Sequence, residues 1–270
     1  MEAPAAPTLS GPSRRATMLR RAATAAVLAS LTALLWLVFR PSFAHIPRAD
    51  HWWYLHQTAG HDRFCDLISL TYSYNRTISN GDYGLFRPVV FAVFALEKSL
   101  FGHDWVWWQR VGFALHLTVL TLFLLLVRRL LTLRAEPAAG TPGAAGMAPL
   151  TLGLLGLALA AFFALNLSVV EMVVWSHINP YMLSLALALG VMLLVLGVLA
   201  APDEPSRART ARLALAWALL LVAAFTHETG QFFAVVVGAV LALDAARRGR
   251  PRLACLRFLA FSAEIGRAHV

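Results

Sequence analysis

Long apolar runs separated by clusters of arginine set the terms on which this chain can fold. Four runs, Ala22–Phe39, Val111–Val127, Pro149–Val170 and Tyr181–Ala200, approach or reach the about 20 residues that a helix needs to cross a hydrocarbon core of about 30 Å. A fifth, Leu213–Leu243, is too long for one upright crossing and is interrupted by Thr226-His227-Glu228-Thr229-Gly230-Gln231. It reads as two helices joined by a polar turn near one membrane face. With 59% apolar and 14% charged residues over 270 positions, against about 25% charged in an average soluble domain, a water-soluble core could not hide this much apolar surface. Disorder is excluded on the same ground, since a disordered chain is poor in apolar residues.

The arginines orient the runs. They gather at Arg14/Arg15/Arg20/Arg21, Arg128/Arg129/Arg134, Arg207/Arg209/Arg212 and Arg247/Arg248/Arg250/Arg252/Arg257, and cytoplasmic segments carry the excess of Lys and Arg. Placing all four clusters on one side requires an even number of crossings between neighbours, and the apolar runs supply two each time. The expectation is an all-α polytopic membrane protein with about six transmembrane helices, a cytoplasmic N-terminus over residues 1–21, and a bacterial plasma-membrane location. On that topology the inner segments hold fifteen Arg against Glu2, Glu136, Asp203, Glu204 and Asp244, a net +10, and the outer segments hold seven bases against eight acids, a net −1. The overall formal charge of +9 is therefore a topology signal, and nucleic acid is not an expected partner.

Three further readings bound the chain. Ser42-Phe43-Ala44 resembles a signal-peptide cleavage site, but the preceding run exceeds the about 7–15 residues of a signal core, which favours a retained helix; the topology is the same either way. Cys65 falls outside and Cys255 inside, so the two cannot pair within the chain. Glu264–Val270, EIGRAHV, back-translates without strain as GAG ATC GGA AGA GCA CAC GTC, which resembles a short-read sequencing adapter read in frame, so residues 264–270 are expected to be a scar. The expectation is that the natural chain continues beyond Ser262 and that 22–263 is the truncated membrane module.

The inner connections are bland, whereas the outer ones are rich in ionisable side chains. Arg40–Arg110 holds Asp50, His51, His56, His61, Asp62, Asp66, Asp82, Arg87, Glu97, Lys98, His103 and Asp104, and two shorter turns add Glu171, Trp175, His177 and Asn179, then His227 and Glu228. Within the first loop, Phe86–Phe101 has helical apolar spacing with Glu97 and Lys98 near its end. It reads as an interfacial helix lying along the surface. Trp52, Trp53, Trp105, Trp107, Trp108 and Trp175 read mainly as an interfacial aromatic belt, although sugar stacking would use the same residues.

These residues carry a resemblance. A first helix followed by the aspartate of PRADHWWYL, then FRPVVFAVFALEKSLFG and a helix bearing His116, resembles the start of the C-type glycosyltransferase superfamily of polytopic membrane enzymes. The turn EMVVWSHINPYMLSLALALGVMLL is similar to the Glu-x-x-x-Trp turn of bacterial relatives of the protein O-mannosyltransferases. FTHETGQFFAVVVGAVLALD resembles their Lys-Glu-Thr turn, with His227 in place of the Lys; His51 likewise stands where many members carry a second acid. The resemblance implies transfer of a sugar, with inversion, from a polyprenyl-phosphate donor to an acceptor hydroxyl on the outer face.

A phosphate ester leaves as a stabilised anion, so such a reaction needs one carboxylate to take the acceptor proton and cations near the phosphate. Asp50 is the expected base. Arg87 is the expected phosphate partner, because a guanidinium offers a rigid fork of donors, and its alternative is an interfacial Arg reaching lipid headgroups. His51, Glu171, His177, His227 and Glu228 are the other candidate substrate-binding residues, with helix-end groups in the headgroup layer as their alternative. No cofactor is expected. A divalent metal on His51, His56, His61 and Asp62 is conceivable on ligand type, but the spacing matches no strong pattern. The expected partners are a lipid-linked sugar donor and membrane lipids, with the acceptor unspecified. A multi-pass transporter and a non-catalytic membrane assembly module remain as alternatives, the first disfavoured because polarity gathers on one face and not at mid-membrane.

Overall fold

A computed structural model describes residues 14–44, 50–70, 87–135, 149–166, 179–201 and 206–262. Residues 1–13 and 263–270 lie outside the described residues, as do Glu171 and His177. Among the described residues every regular element is helical, so the fold is all-α. Met1–Arg40 and Pro41–Val270 form two compact units.

The first unit contains α1 (Arg14–Phe39). Its first two turns carry Arg14, Arg15, Arg20 and Arg21, and the apolar stretch that follows is the shorter Leu28–Ala44, which ends in a 3-10 turn over Arg40–Ala44. The second unit contains α2 (Asp50–Gln57), α3 (Pro88–Phe101), α4 (Trp105–Ala135), α5 (Pro149–Leu165), α6 (Asn179–Ala200), α7 (Ser206–Thr226), α8 (Glu228–Arg247) and α9 (Pro251–Ser262). Residues 64–70 are also helical.

Among the described residues, four helical stretches are long and apolar enough to cross a membrane: Trp105–Leu131, Asn179–Ala200, Arg207–Thr226 and Thr229–Arg247. At 1.5 Å per residue the shortest spans about 28 Å and the longest about 40 Å. The protein is therefore a membrane protein. Two of the six expected crossings are shorter among the described residues, Leu28–Ala44 and Leu154–Leu165; the end of the predicted third run, past residue 166, lies outside the described residues. The second crossing begins six residues before the sequence pattern places it, at Trp105, because Asp104 Oδ1 accepts from the Val106 N–H at 3.2 Å and starts the helix.

α6, α7 and α8 form the centre. Val191, Val195, Ala216, Leu220, Ala234, Val237 and Leu241 are all fully buried there. Ser184 Oγ donates to the Ala223 carbonyl at 3.2 Å, tying α6 to α7. α7 and α8 are separated by His227 alone, and this turn demands glycine: a β-carbon on Gly230 would collide with the backbone of Ala223 and Ala224. α4 packs on α5 and α6, and α9 folds back along α8. Outside this core the helices expose large apolar side chains, including Leu154, Phe162, Leu215, Phe232 and Leu243. Leaving one such side chain in water forgoes about 1.5–3 kcal/mol of burial, so a lipid environment is what makes this surface tolerable.

The helices alternate in direction, which sorts the charges. Arg128, Arg129, Arg207, Arg209, Arg212, Arg247 and Arg248 belong to one end of the bundle, where the Arg212 guanidinium lies beside Gly197 of α6. The starts of α4, α6 and α8 and the end of α7 form the other end, with α2 and α3 packed there.

Candidate functional site at the polar end of the bundle

α3 begins at Pro88, whose fixed φ suits the first helical position, and Arg87 stands at its N-cap without a side-chain capping bond. The arginine instead reaches α6: its Nη1 donates to Tyr181 Oη at 3.0 Å. The Tyr181 ring meets the His227 ring nearly edge-on, with centroids 4.3 Å apart. His227 caps α8. Its Nδ1 accepts from the Thr229 N–H at 3.2 Å and lies 2.9 Å from Thr229 Oγ1, so in the neutral ring the proton sits on Nε2, which leaves that nitrogen as a donor. Two candidate residues 140 positions apart in sequence, Arg87 and His227, are thus joined through one tyrosine.

A second cluster lies along α3. Glu97 and Lys98 are adjacent, so their side chains leave the helix about 100° apart and meet different partners. Both are buried, at 3% and 1% exposure, where the sequence reading has them near the polar end of an interfacial helix. Glu97 Oε1 accepts from Asn179 Nδ2 at 2.8 Å, and the same amide donates to the Trp108 carbonyl at 3.1 Å. Burial pushes the Glu97 carboxyl up from 4.5 to about 8, against the opposing pull of the Asn179 hydrogen bond. Lys98 Nζ donates to the Thr58 carbonyl and, at 2.9 Å, to Thr58 Oγ1, and it stands 3.8 Å from Asp62 Oδ1. Burial lowers the Lys98 ammonium, with Asp62 acting in the opposite sense.

These contacts hold α2 in place. Tyr54 and Leu55 of α2 pack with Val90 and Phe94 of α3 and with Trp108 of α4, and Lys98 fastens the residue just past the helix end. Asp50 and His51 are the first two residues of α2, which puts the helix of the expected base on the same end of the bundle as Arg87 and His227. Glu228 begins α8, directly after His227. The side chains of Asp50, His51 and Glu228 lie outside the described residues. His116 is fully buried in α4, its ring 6.5 Å from that of Phe163 on α5.

Among the described residues no three His, Cys, Asp or Glu side chains converge as a metal site; Asp62, considered with His51, His56 and His61 as a ligand, faces Lys98 instead. The tryptophans divide. Trp52 and Trp107 are exposed, as belt residues should be, whereas Trp108 is 1% exposed and forms part of the core beneath α2 and α3.

Sequence reading misses Tyr181 and Asn179 as partners in this region. The available signal is the polar tripeptide Asn179-Pro180-Tyr181 opening an otherwise apolar 22-residue helix. Comparison with family models, curated proteins and solved structures finds no match to this chain.

Proposed function

We propose that this protein is a membrane glycosyltransferase that moves a sugar from a polyprenyl-phosphate donor to an acceptor hydroxyl at the outer face of a bacterial plasma membrane. The observation that carries the reading is the convergence of Arg87, Tyr181 and His227 at the bundle end opposite the arginine clusters. By the charge rule for membrane proteins the arginine end faces the cytoplasm, so the polar end meets the leaflet in which such a donor is held.

The chemistry assigned to each residue follows from its type. Arg87 brings a cation to the donor phosphate, and Tyr181 holds that cation by its Oη. The Nε2–H of His227 adds a neutral donor that needs no positive charge, which answers the absence of a Lys at this position. Glu228 and Glu171 bind acceptor or sugar hydroxyls, with His177 and His51 beside them. Asp50 takes the acceptor proton as the hydroxyl attacks the anomeric carbon and the lipid phosphate leaves. The described bundle interior, built from Val, Leu and Ala with His116 as its ionisable exception, favours this reading over a transporter, which needs polar groups at mid-membrane.

The test is sugar transfer from a polyprenyl-phosphate donor by the protein in proteoliposomes. Asp50→Asn is expected to cut the rate by about 10²–10⁴-fold, the range for loss of a positioned base. Arg87→Ala is expected to raise KM for the donor more than it lowers kcat. Transfer by Asp50→Asn at the wild-type rate would contradict the assignment.

A further inference from the structure

Glu97 and Asn179 are 3% and 0% exposed, and each keeps one oxygen, Glu97 Oε2 and Asn179 Oδ1, buried without a hydrogen-bond partner. The two side chains are already joined by the 2.8 Å bond from Asn179 Nδ2 to Glu97 Oε1. Leaving a buried acceptor unsatisfied costs about 1–3 kcal/mol, and more when the group is charged. A hydrogen on Glu97 Oε2, if donated to Asn179 Oδ1, would give both orphans a partner. A carboxylic acid and a primary amide are complementary in this way, the acid hydroxyl donating to the amide oxygen while the amide nitrogen donates to the acid carbonyl.

We propose that Glu97 is a proton-binding site: Oε2 holds the hydrogen and donates it to Asn179 Oδ1, closing a two-bond ring that latches α3 to the start of α6. The second Asn179 N–H, bonded to the Trp108 carbonyl, brings α4 into the same joint. The latch is independent of the enzymatic reading. It bears on that region because Tyr181, the partner of Arg87, lies two residues after Asn179.

Among the described residues, the surrounding charges leave the proton as the neutralising species. On α3 itself, Lys98 is turned to Thr58 and Asp62, and Arg87 to Tyr181. From α2 and the turn after it come His56, His61 and Asp62, all exposed. α4 contributes Arg110, which lies over the Trp107 ring, and the buried His116 towards α5; α6 contributes Tyr181. From the end of α7 come Thr226 and the His227 cap, whose Nδ1 is taken by Thr229. Burial is the larger influence on Glu97 and favours the uncharged form, holding its proton to about pH 8. The native state then binds this proton more tightly than the unfolded chain does, so stability is full below about 4.5 and declines as the pH rises through about 8.

Infrared spectroscopy and thermal unfolding in nanodiscs test this on the full chain. Wild type is expected to show a protonated-carboxyl C=O band at about pH 6 that fades by about pH 9, and a melting temperature that falls over the same interval. Glu97→Gln supplies an N–H in place of the acid O–H. It is expected to lose the band, to melt near the wild-type temperature at about pH 4.5, and to lose most of the decline with pH. Asn179→Leu is expected to keep the band but move it to higher wavenumber, which holds the proposal open to refutation should Glu97→Gln not fold. Absence of the wild-type band at about pH 6, or an unchanged decline with pH in Glu97→Gln, would overturn the latch.

Discussion

The two ends of the bundle use charge in opposite ways. At the arginine end the basic residues belong to the last turns of α4 and α8 and the first turns of α7, and a representative contact is local, from Nε of the α8 C-cap Arg248 to Asp244 Oδ1 at 2.9 Å, four residues back in the helix. At the polar end the contacts are long-range: Lys98 with Thr58, Glu97 with Asn179 and Arg87 with Tyr181 lie 40, 82 and 94 residues apart. Charge at the first end sets how the chain sits in a membrane and asks little of the fold. At the second end, polar groups are drawn out of water and joined across elements, a cost that a chain meets where position matters.

This contrast can be broken most severely at the polar end. Glu97→Ala leaves the Asn179 amide facing a cavity and removes the joint between α3 and α6; a loss of about 2–4 kcal/mol is expected in denaturant unfolding. Gly230→Ala forces a methyl group into the backbone of Ala223 and Ala224; about 1–3 kcal/mol is expected, read as a lower melting temperature. Tyr181→Phe keeps the ring against His227 but deletes the hydroxyl that holds Arg87; about 0.5–1.5 kcal/mol is expected in stability, with donor KM rising more than kcat falls. Arg248→Ala, at the other end, removes a helical i,i+4 pair, and a change no larger than about 0.5 kcal/mol is expected. An Arg248→Ala loss equal to that of Glu97→Ala would dissolve the distinction between the ends.

How far each end was legible follows from the range of its interactions. The apolar runs, the break at Thr226–Gln231 and the arginine clusters are local patterns, and the structure divides α7 from α8 within that break, at His227. The helix predicted over Phe86–Phe101 is observed as Pro88–Phe101. The apolar run begins only at Val111, and Trp105, Trp107 and Trp108 read as an interfacial belt, while the Asp104 cap winds them into the first turn of α4. Arg87 and His227 could be singled out by residue type alone. Their union through Tyr181 could not, and neither could the burial of Glu97 and Lys98, because partners so distant in sequence leave no periodic trace. The sequence alone marks Glu97 as charged; only Asn179 and the Trp108 carbonyl, brought in from two other helices, show that it is enclosed.

If the arginine end faces the cytoplasm, the end carrying Arg87, Tyr181 and His227 faces outward, and the two cysteines report on it. Both are exposed; Cys65 follows α2 on the polar side, and Cys255 lies in α9, just beyond Arg247–Arg252. A membrane-impermeant thiol reagent applied to intact cells is expected to modify Cys65 and spare Cys255, with Cys255→Ser confirming the site. Modification of Cys255 but not Cys65 would invert the bundle and contradict an outward-facing site.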